Sequence, residues 1–378
     1  MPWLCLTALL HCIMVLEKRL SFTSWAVILS IVTFILSLSG TFLVRSGILN
    51  SVHTFANDPE RGIFILIFLF VLIFISLIIF FVFHKENNQK IVKIYWLSKE
   101  TSILVNNWFL MYFLSVVLIG TVYPIFLEVL SSEKISVGPP FYHKLIIPFL
   151  IPFLLFMSIG PNLNWIKSKI KKVRIEIIIL FIISLLVSLL ISRKIGSVNL
   201  INIVLISAAF YLFFITAKDF FSKKLKNYPQ KISHFGFSLL ILSILLNSIF
   251  SSEVITNLKV GEKFSFKEES ITFESIENTE SKNYRSIIGH FKIEDKQKNS
   301  IQLKPELRIY DQPFTITSEA DIKTTLYYDK FLVMNLVKGN EYFNVRYQFK
   351  PFMIWIWIST LLLIIGGIFS LFKRTYEK

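Results

Sequence analysis

The sequence predicts a polytopic α-helical membrane protein, with about nine spans and a small β-rich extracytoplasmic domain. Hydrophobic residues make up 54% of the 378 residues, and the mean hydropathy is +0.62. Runs of about 18 or more apolar residues recur, and each can cross a hydrocarbon layer of roughly 30 Å as a helix. One stretch near the C-terminal end instead alternates apolar and polar residues. This profile excludes an ordinary soluble globule.

The apolar runs set the expected spans, of which the first is shorter than the others. We expect spans at about residues 3–16, 23–43, 62–83, 102–127, 143–160, 175–192, 198–217, 232–250 and 352–372. The two cysteines, Cys5 and Cys12, both lie in the first span and form no CxxC motif. They are expected to pack between helices, since neither a thiol reductant site nor a covalent haem attachment site is present.

The net charge of +15 has two explanations. A basic protein can bind nucleic acid, but here most Lys and Arg residues lie in alternate loops, near 84–101, 167–174 and 218–231. That asymmetry is the positive-inside pattern of membrane proteins, and it places these loops in the cytoplasm. The sequence therefore predicts a bundle whose partner is membrane lipid and no nucleic-acid partner.

Residues 251–350 have a different pattern from the rest of the chain. Apolar and polar residues alternate in 291–294, 307–309 and 345–349, which is typical of half-buried strands. The expected organisation is a helical bundle of about eight spans in 1–250, a periplasmic β-rich domain in 251–350, and a final helix with a cytoplasmic tail in 351–378.

Two histidines, His11 and His234, fall inside predicted spans. An ionisable group in a span is a functional candidate, although a neutral imidazole bonded to a neighbouring helix is an equal alternative. Both lie in the inner half of the bilayer in the predicted topology. They could face each other across one ligand, as a haem with two axial imidazoles requires. Gly236 would allow a flat macrocycle or another helix to approach.

The polar segment between the second and third spans holds His53. Asp58-Pro59-Glu60 predicts the start of the next helix, because Asp caps free N–H groups and Pro suits the first helical position. This loop should therefore be short and held at the outer membrane surface. Arg45 and Arg61 flank it, and two cations would suit haem propionates. The alternative is a solvated loop histidine with snorkelling arginines.

Several long motifs resemble the CcmF family of cytochrome c maturation proteins. Residues 40–62 read GTFLVRSGILNSVHTFANDPERG, and the first span begins with MPWL followed by TALLH at 7–11. The segment SHFG at 233–236, GTVYP at 120–124 and SVGPP at 136–140 are also similar to the family. The resemblance extends over almost the whole chain.

The resemblance implies a subunit of the cytochrome c haem lyase, which joins haem vinyl groups to the thiols of an apocytochrome c CxxCH motif. It implies that His11 and His234 hold the iron of a haem b, and that His53 is one axial ligand of the substrate haem iron. Implied partners are a CcmE-type haem chaperone, CcmH/CcmI-type apocytochrome-binding proteins, apocytochrome c and quinol as electron donor. The implied location is the bacterial inner membrane, or the mitochondrial inner membrane.

The family's tryptophan-rich tract should lie just before the MPWL motif, where this sequence begins. The sequence therefore resembles the C-terminal part of a CcmF-type protein, and an N-terminal CcmF-like chain is an expected partner. Both a split subunit and a decayed gene that leaves a non-catalytic haem-binding scaffold remain open. A membrane transporter or haem exporter is the alternative class, but paired broken helices and internal repeats are not evident.

Overall fold

The computed structural model divides the chain into two compact units, Met1–Ile215 and Thr216–Lys378. The residues that the structure describes are 1–46, 58–83, 94–131, 135–168, 175–196, 199–222, 227–312, 314–337 and 341–376.

Nine α-helices lie within these described ranges. They are α1 (Pro2–Arg19), α2 (Thr23–Arg45), α3 (Pro59–Phe83), α4 (Lys99–Ser131), α5 (Pro139–Ile159), α6 (Ile175–Ile195), α7 (Leu200–Phe220), α8 (Tyr228–Phe250) and α9 (Met353–Tyr376). Eight of them, α2 to α9, are long and apolar enough to cross a membrane. Helix α1 has 18 residues and three charged residues in its last turn. The polytopic helical architecture predicted from the sequence is confirmed.

In the first unit, α1 packs against α2 and α4. Its buried side chains are Cys5, Ala8, Cys12 and Val15, and their spacing of three or four residues puts them on one helix face. Both cysteines are free thiols. The Asn107 amide of α4 donates a hydrogen bond to Cys12 Sγ at 3.0 Å. The cysteines therefore have the packing role expected from the sequence.

A buried ion pair joins the end of α1 to the start of α4. Arg19 Nε lies 2.7 Å from Glu100 Oε1, and the Glu100 side chain is only 2% exposed. Both members of the pair lie in helical turns outside the predicted spans. Helix α1 continues past residue 16 as far as Arg19, and α4 begins at Lys99 instead of residue 102.

In the second unit, α8 and α9 pack closely through two glycines. A Cβ atom on Gly236 would lie 3.0 Å from the Ser359 carbonyl oxygen. A Cβ atom on Gly366 would lie 2.9 Å from the Ser233 backbone nitrogen. Small residues let two helix backbones approach in a membrane, where van der Waals contact contributes much of the association energy.

Ten antiparallel strands follow α8 and form two sheets. They are β1 (Ser252–Leu258), β2 (Lys263–Phe266), β3 (Glu269–Glu280), β4 (Arg285–Asp295), β5 (Ser300–Leu303), β6 (Glu306–Asp311), β7 (Phe314–Glu319), β8 (Asp321–Thr324), β9 (Tyr328–Leu336) and β10 (Phe343–Pro351). One sheet has the order β1-β10-β9-β8, and the other β2-β3-β4-β6-β7, with β5 paired to β4.

The apolar core of this domain is formed by side chains of both sheets. Phe273 and Phe291 stack with their ring centroids 4.3 Å apart, and Leu332, Met334 and Tyr347 are fully buried with them. In β4, Phe291 is buried while its neighbours are only partly so. The period-two alternation predicted for β4 and β10 is confirmed, because each of these strands places alternate residues in this core, whereas β6 contributes only Leu307.

Candidate functional site

His11 is half-buried on α1, and its ring has a fixed hydrogen bond. The Nδ1 atom lies 2.8 Å from the carbonyl oxygen of Thr7, one helical turn earlier. A carbonyl oxygen only accepts hydrogen bonds, so Nδ1 carries the proton and donates it. In a neutral imidazole the lone pair is then on Nε2. Histidines that ligate metals have this arrangement, because the bond at one nitrogen fixes the tautomer and the ring orientation.

His234 is half-buried on α8, close to the start of that helix. The side of α8 that contacts α9 includes Ser233 and Gly236. Residues two positions apart in the sequence of a helix are separated by about 200° around its axis. His234 therefore projects from a different side of α8 than Gly236 does. The neighbouring Phe235 stacks on Phe220, with ring centroids 4.8 Å apart. Gly236 therefore lies against helix α9. The sequence had predicted that either a helix or a flat macrocycle would approach this glycine.

The two span histidines belong to different units, Met1–Ile215 and Thr216–Lys378, and each can be compared in depth along its own helix. His11 lies eight residues before the end of α1, about 12 Å at 1.5 Å per residue. His234 lies six residues after the start of α8, about 9 Å. The charge pattern predicts both of these helix ends on the cytoplasmic side, and in that predicted topology the two distances differ by less than one helical turn.

The two helix ends that border the loop with His53, the end of α2 and the start of α3, are in contact. The Asp58 backbone N–H donates to the Arg45 carbonyl oxygen at 3.0 Å, which joins the start of α3 to the end of α2. A Cβ atom on Gly62 would lie 2.9 Å from Ser46 Cα, so a glycine is required for this close approach. His53 itself lies outside the described residues.

The predicted start of α3 is confirmed. Asp58 Oδ1 accepts a hydrogen bond from the Arg61 backbone N–H at 3.2 Å, which is the bond of a helix N-cap, and Pro59 is the first helical residue. Asp58 Oδ2 also lies 3.1 Å from Arg61 Nε, and the Arg61 side chain is 73% exposed. The structure thus brings together the helix ends that carry Arg45 and Arg61.

The remaining histidines have ordinary surroundings where the structure describes them. His290 on β4 pairs with Glu277 at 3.0 Å, and His143 lies in the second turn of α5. His84 lies outside the described ranges. Within those ranges, no three His, Cys, Asp or Glu side chains cluster as a conventional metal site.

Sequence reasoning did not find two features near the candidate residues. One is the Thr7 carbonyl that orients His11, and the other is the Arg19–Glu100 ion pair at the end of the same helix. The first has no residue-specific signal, because every histidine inside a helix has a backbone carbonyl group four residues earlier. No signal in the sequence links Arg19 to the distant Glu100.

Comparison with known proteins gives independent information on the family. A sequence profile described as the CcmF C-terminal beta-sandwich matches residues 249–351. The cytochrome c-type biogenesis protein CcmF of Pseudomonas fluorescens is 33% identical over 390 residues, which covers 100% of this chain and 59% of the relative. The protein of the same name from Escherichia coli K12 is 32% identical over 386 residues and matches 100% of this chain and 60% of the relative. The chain is a CcmF/CycK-type protein.

One solved structure, named Cytochrome c Heme Lyase CcmF, shares the fold of this CcmF/CycK-type chain. The TM-score is 0.74 at 20% sequence identity, with 97% of this chain and 58% of the solved chain covered. The CcmF/CycK-type chain therefore spans about three fifths of the length of the relatives it matches. Eight helices able to cross a membrane, in a protein of this family, make it a multi-pass membrane protein.

Proposed function

We propose that this CcmF/CycK-type chain acts in cytochrome c biogenesis as part of the haem lyase. In the proposed reaction, each thiol of an apocytochrome CxxCH motif adds across a haem vinyl group. A sulfur–carbon bond forms, and the thiol hydrogen is transferred to the neighbouring vinyl carbon. The proposal rests on the family match over the whole chain. It applies to the assembly that also contains the rest of the family's length, on the same polypeptide or on another.

The residues of this chain proposed to hold a resident haem b are His11 and His234. The observation that carries this proposal is the 2.8 Å bond between His11 Nδ1 and the Thr7 carbonyl oxygen, which leaves Nε2 with the lone pair that iron requires. The similar depths of the two histidines in their own helices also support it. A haem held by both imidazoles would supply one-electron transfer. Quinol is the proposed electron source.

His53 is proposed as one axial ligand of the substrate haem, with Arg45 and Arg61 beside its propionates. The bond between Asp58 and the Arg45 carbonyl supports a loop held at both ends. Such a loop would present its histidine at a fixed place beside the membrane surface. The proposed partners are a CcmE-type haem chaperone that delivers the substrate haem, and CcmH/CcmI-type proteins that present apocytochrome c.

The haem proposal is tested by absorption spectra of the purified chain, co-expressed with the remaining part of a CcmF relative. His11→Ala and His234→Ala should each remove most of the b-type bands, since one imidazole holds the iron poorly. His143→Ala is the matched control, because His143 also lies in a membrane helix but has no proposed ligand role. Normal bands in the His11/His234 double variant would contradict the assignment.

The lyase proposal has a separate test in cells that supply an apocytochrome c. His53→Ala should abolish holocytochrome formation and leave the b-type bands unchanged. Bands without any holocytochrome, when the remaining part of the family's length is also supplied, would identify the chain as a non-catalytic haem-binding scaffold instead.

A further inference from the structure

The turn between β8 and β9 exposes two large apolar side chains. Leu326 is 59% exposed and Tyr327 is 74% exposed. Hairpin turns normally carry Gly, Asn, Asp or Pro, since these residues suit turn conformations and water. An exposed Leu-Tyr pair at a turn is therefore unusual, and it indicates contact with an apolar partner that would cover these side chains.

The turn is held in one shape by its own hydrogen bonds. The Thr325 backbone N–H donates to the Tyr328 carbonyl oxygen at 2.9 Å. In return, the Tyr328 N–H donates to Thr325 Oγ1 at 3.1 Å. These bonds fix the four-residue turn, so the two apolar side chains project from a preorganised tip and little ordering is needed for contact.

Two further hydrogen bonds fix this tip against the first turn of α9. The Trp355 indole N–H donates to the Leu326 carbonyl oxygen at 2.9 Å. The Phe352 backbone N–H donates to the Tyr327 carbonyl oxygen at 3.0 Å. Phe352 has a φ of 63°, a left-handed conformation that is unfavourable for a residue other than glycine. The tip and the junction between β10 and α9 therefore form one rigid element.

The same end of the sandwich is tied to α8. The Asn247 side-chain amide donates to the Pro351 carbonyl oxygen at 2.6 Å, and β1 begins directly after α8 at Ser252. The apolar span of α9 begins at Met353. The tip thus lies at the end of the sandwich from which the apolar helix α9 starts.

We propose that the Leu326–Tyr327 tip is a lipid anchor, which inserts into the interfacial layer of the bilayer where α9 begins. Tyr and Trp are favoured in this layer because their rings combine an apolar body with a polar group. Trp357 in the first turns of α9 is 66% exposed and belongs to the same belt. The anchor adds a third contact with the bilayer at the end of the sandwich that joins α8 and α9.

The chain contains a matched control at the opposite end of the same sheet. Val260 follows β1 and is 46% exposed. It lies beyond Leu258, which pairs with Phe343 of β10. Phe343 in turn pairs with Leu336, at the end of β9 that is opposite to the tip. Eight residue steps along β9, from Tyr328 to Leu336, separate the two ends by about 26 Å at 3.3 Å per residue.

The test uses the full chain in phosphatidylcholine nanodiscs, with Cys5 and Cys12 replaced by alanine. An environment-sensitive fluorophore is attached to Leu326→Cys or, as the control, to Val260→Cys. We expect blue-shifted emission at residue 326, and quenching by lipid with a doxyl group near the headgroup about twofold or more stronger than at residue 260. Water-like emission at residue 326 would overturn the proposal. Shielded emission without lipid quenching would also overturn it, because that result indicates contact with protein.

A second measurement uses the native sequence and avoids the cysteine replacements. A phosphatidylcholine with a photoreactive group near the headgroup is incorporated into the nanodiscs, and labelled peptides are identified by mass spectrometry. Labelling should occur in the peptide that contains Leu326 and Tyr327 and not in the peptide that contains Val260. Equal labelling of the two peptides, or labelling of the second only, would reject the anchor. Neither measurement depends on haem or on lyase activity.

Discussion

Lys330 on β9 and Glu269 on β3 form an ion pair that joins the two sheets of the sandwich. The Lys330 Nζ and Glu269 Oε1 atoms are 2.7 Å apart, and the side chains are 6% and 18% exposed. The Tyr347 hydroxyl on β10 donates a hydrogen bond to the other Glu269 oxygen at 2.5 Å. Glu269 thus has a partner for each oxygen, which satisfies a carboxylate buried beside an apolar core.

Lys330→Met should destabilise the sandwich by about 3 kcal/mol, because it leaves a buried carboxylate without its counter-charge. Hydrogen exchange of β3 and β9 in the full-length protein measures this change, and about a hundredfold faster exchange is expected for that free energy. The neighbouring pair of Lys296 and Glu268 is the matched control. It has the same 2.7 Å separation, but its side chains are 69% and 73% exposed.

Lys296→Met should change the exchange rate much less than Lys330→Met does, since an exposed ion pair is screened by water and contributes little to stability. If the two substitutions changed the exchange rate equally, burial would not be the reason for the contribution of the Lys330–Glu269 pair to stability.

The same cluster predicts an alkaline limit to the stability of the sandwich. Burial raises the pKa of Tyr347 well above its usual value, and the hydrogen bond to Glu269 raises it further. Below the unfolded-state pKa of about 10, the tyrosine is neutral in both states and its full contribution is present. As the pH rises above about 10, the unfolded chain loses this proton and the folded chain keeps it, so stability falls.

Hydrogen exchange after brief exposure to pH 9, 10 and 11 should therefore show progressive loss of protection in β10. Tyr347→Phe cannot lose a proton, so the part of the alkaline loss that arises at this position should disappear in the variant. An unchanged alkaline loss in Tyr347→Phe would show that other groups cause it.

The sequence pattern predicted the strands but not this cluster. In β9, Lys330 shares the inward face with Leu332 and Met334, at alternate positions. A lysine at such a position contradicts simple alternation, and its partner Glu269 is on a distant strand of the other sheet. Alternation depends only on neighbouring residues, so it indicates which face a residue occupies but gives no information on the group that it meets across the core.

In the candidate site, too, features that depend on consecutive residues could be predicted from the sequence, and contacts between distant residues could not. The cap at Asp58 and the helix start at Pro59 were predictable, because they depend on consecutive residues. The helical spans followed from composition, since lipid requires long apolar segments. The Arg19–Glu100 pair and the contact of Arg45 with Asp58 depend on the fold, and composition alone gives no information on them.

The contact between α8 and α9 gives a prediction on two adjacent glycines of α9. Gly366→Ala should weaken the contact by about 1–3 kcal/mol, because its Cβ atom would meet the Ser233 backbone and force the helices apart. Gly367→Ala is the control, since no atom lies within 4 Å of a Cβ atom there. The temperature at which the detergent-solubilised protein loses its monodisperse elution peak should fall for the first variant and stay unchanged or rise for the second. A fall for both variants would point to backbone effects instead of packing.

The cap of α3 holds one end of the loop for which a role in substrate-haem binding is proposed. Asp58→Ala removes the side-chain acceptor for the Arg61 N–H and should destabilise the first turn of α3 by about 1 kcal/mol. That turn holds one end of the loop, so holocytochrome formation should fall several-fold, whereas the b-type bands, proposed to arise from a haem held by His11 and His234, should not change. Asp58→Asn is the matched control, since Asn is as good a cap as Asp but lacks the charge that pairs with Arg61. If Asn restores activity and Ala does not, the cap positions the loop. If both variants lose activity equally, the carboxylate charge is what matters, and the positioning argument is wrong.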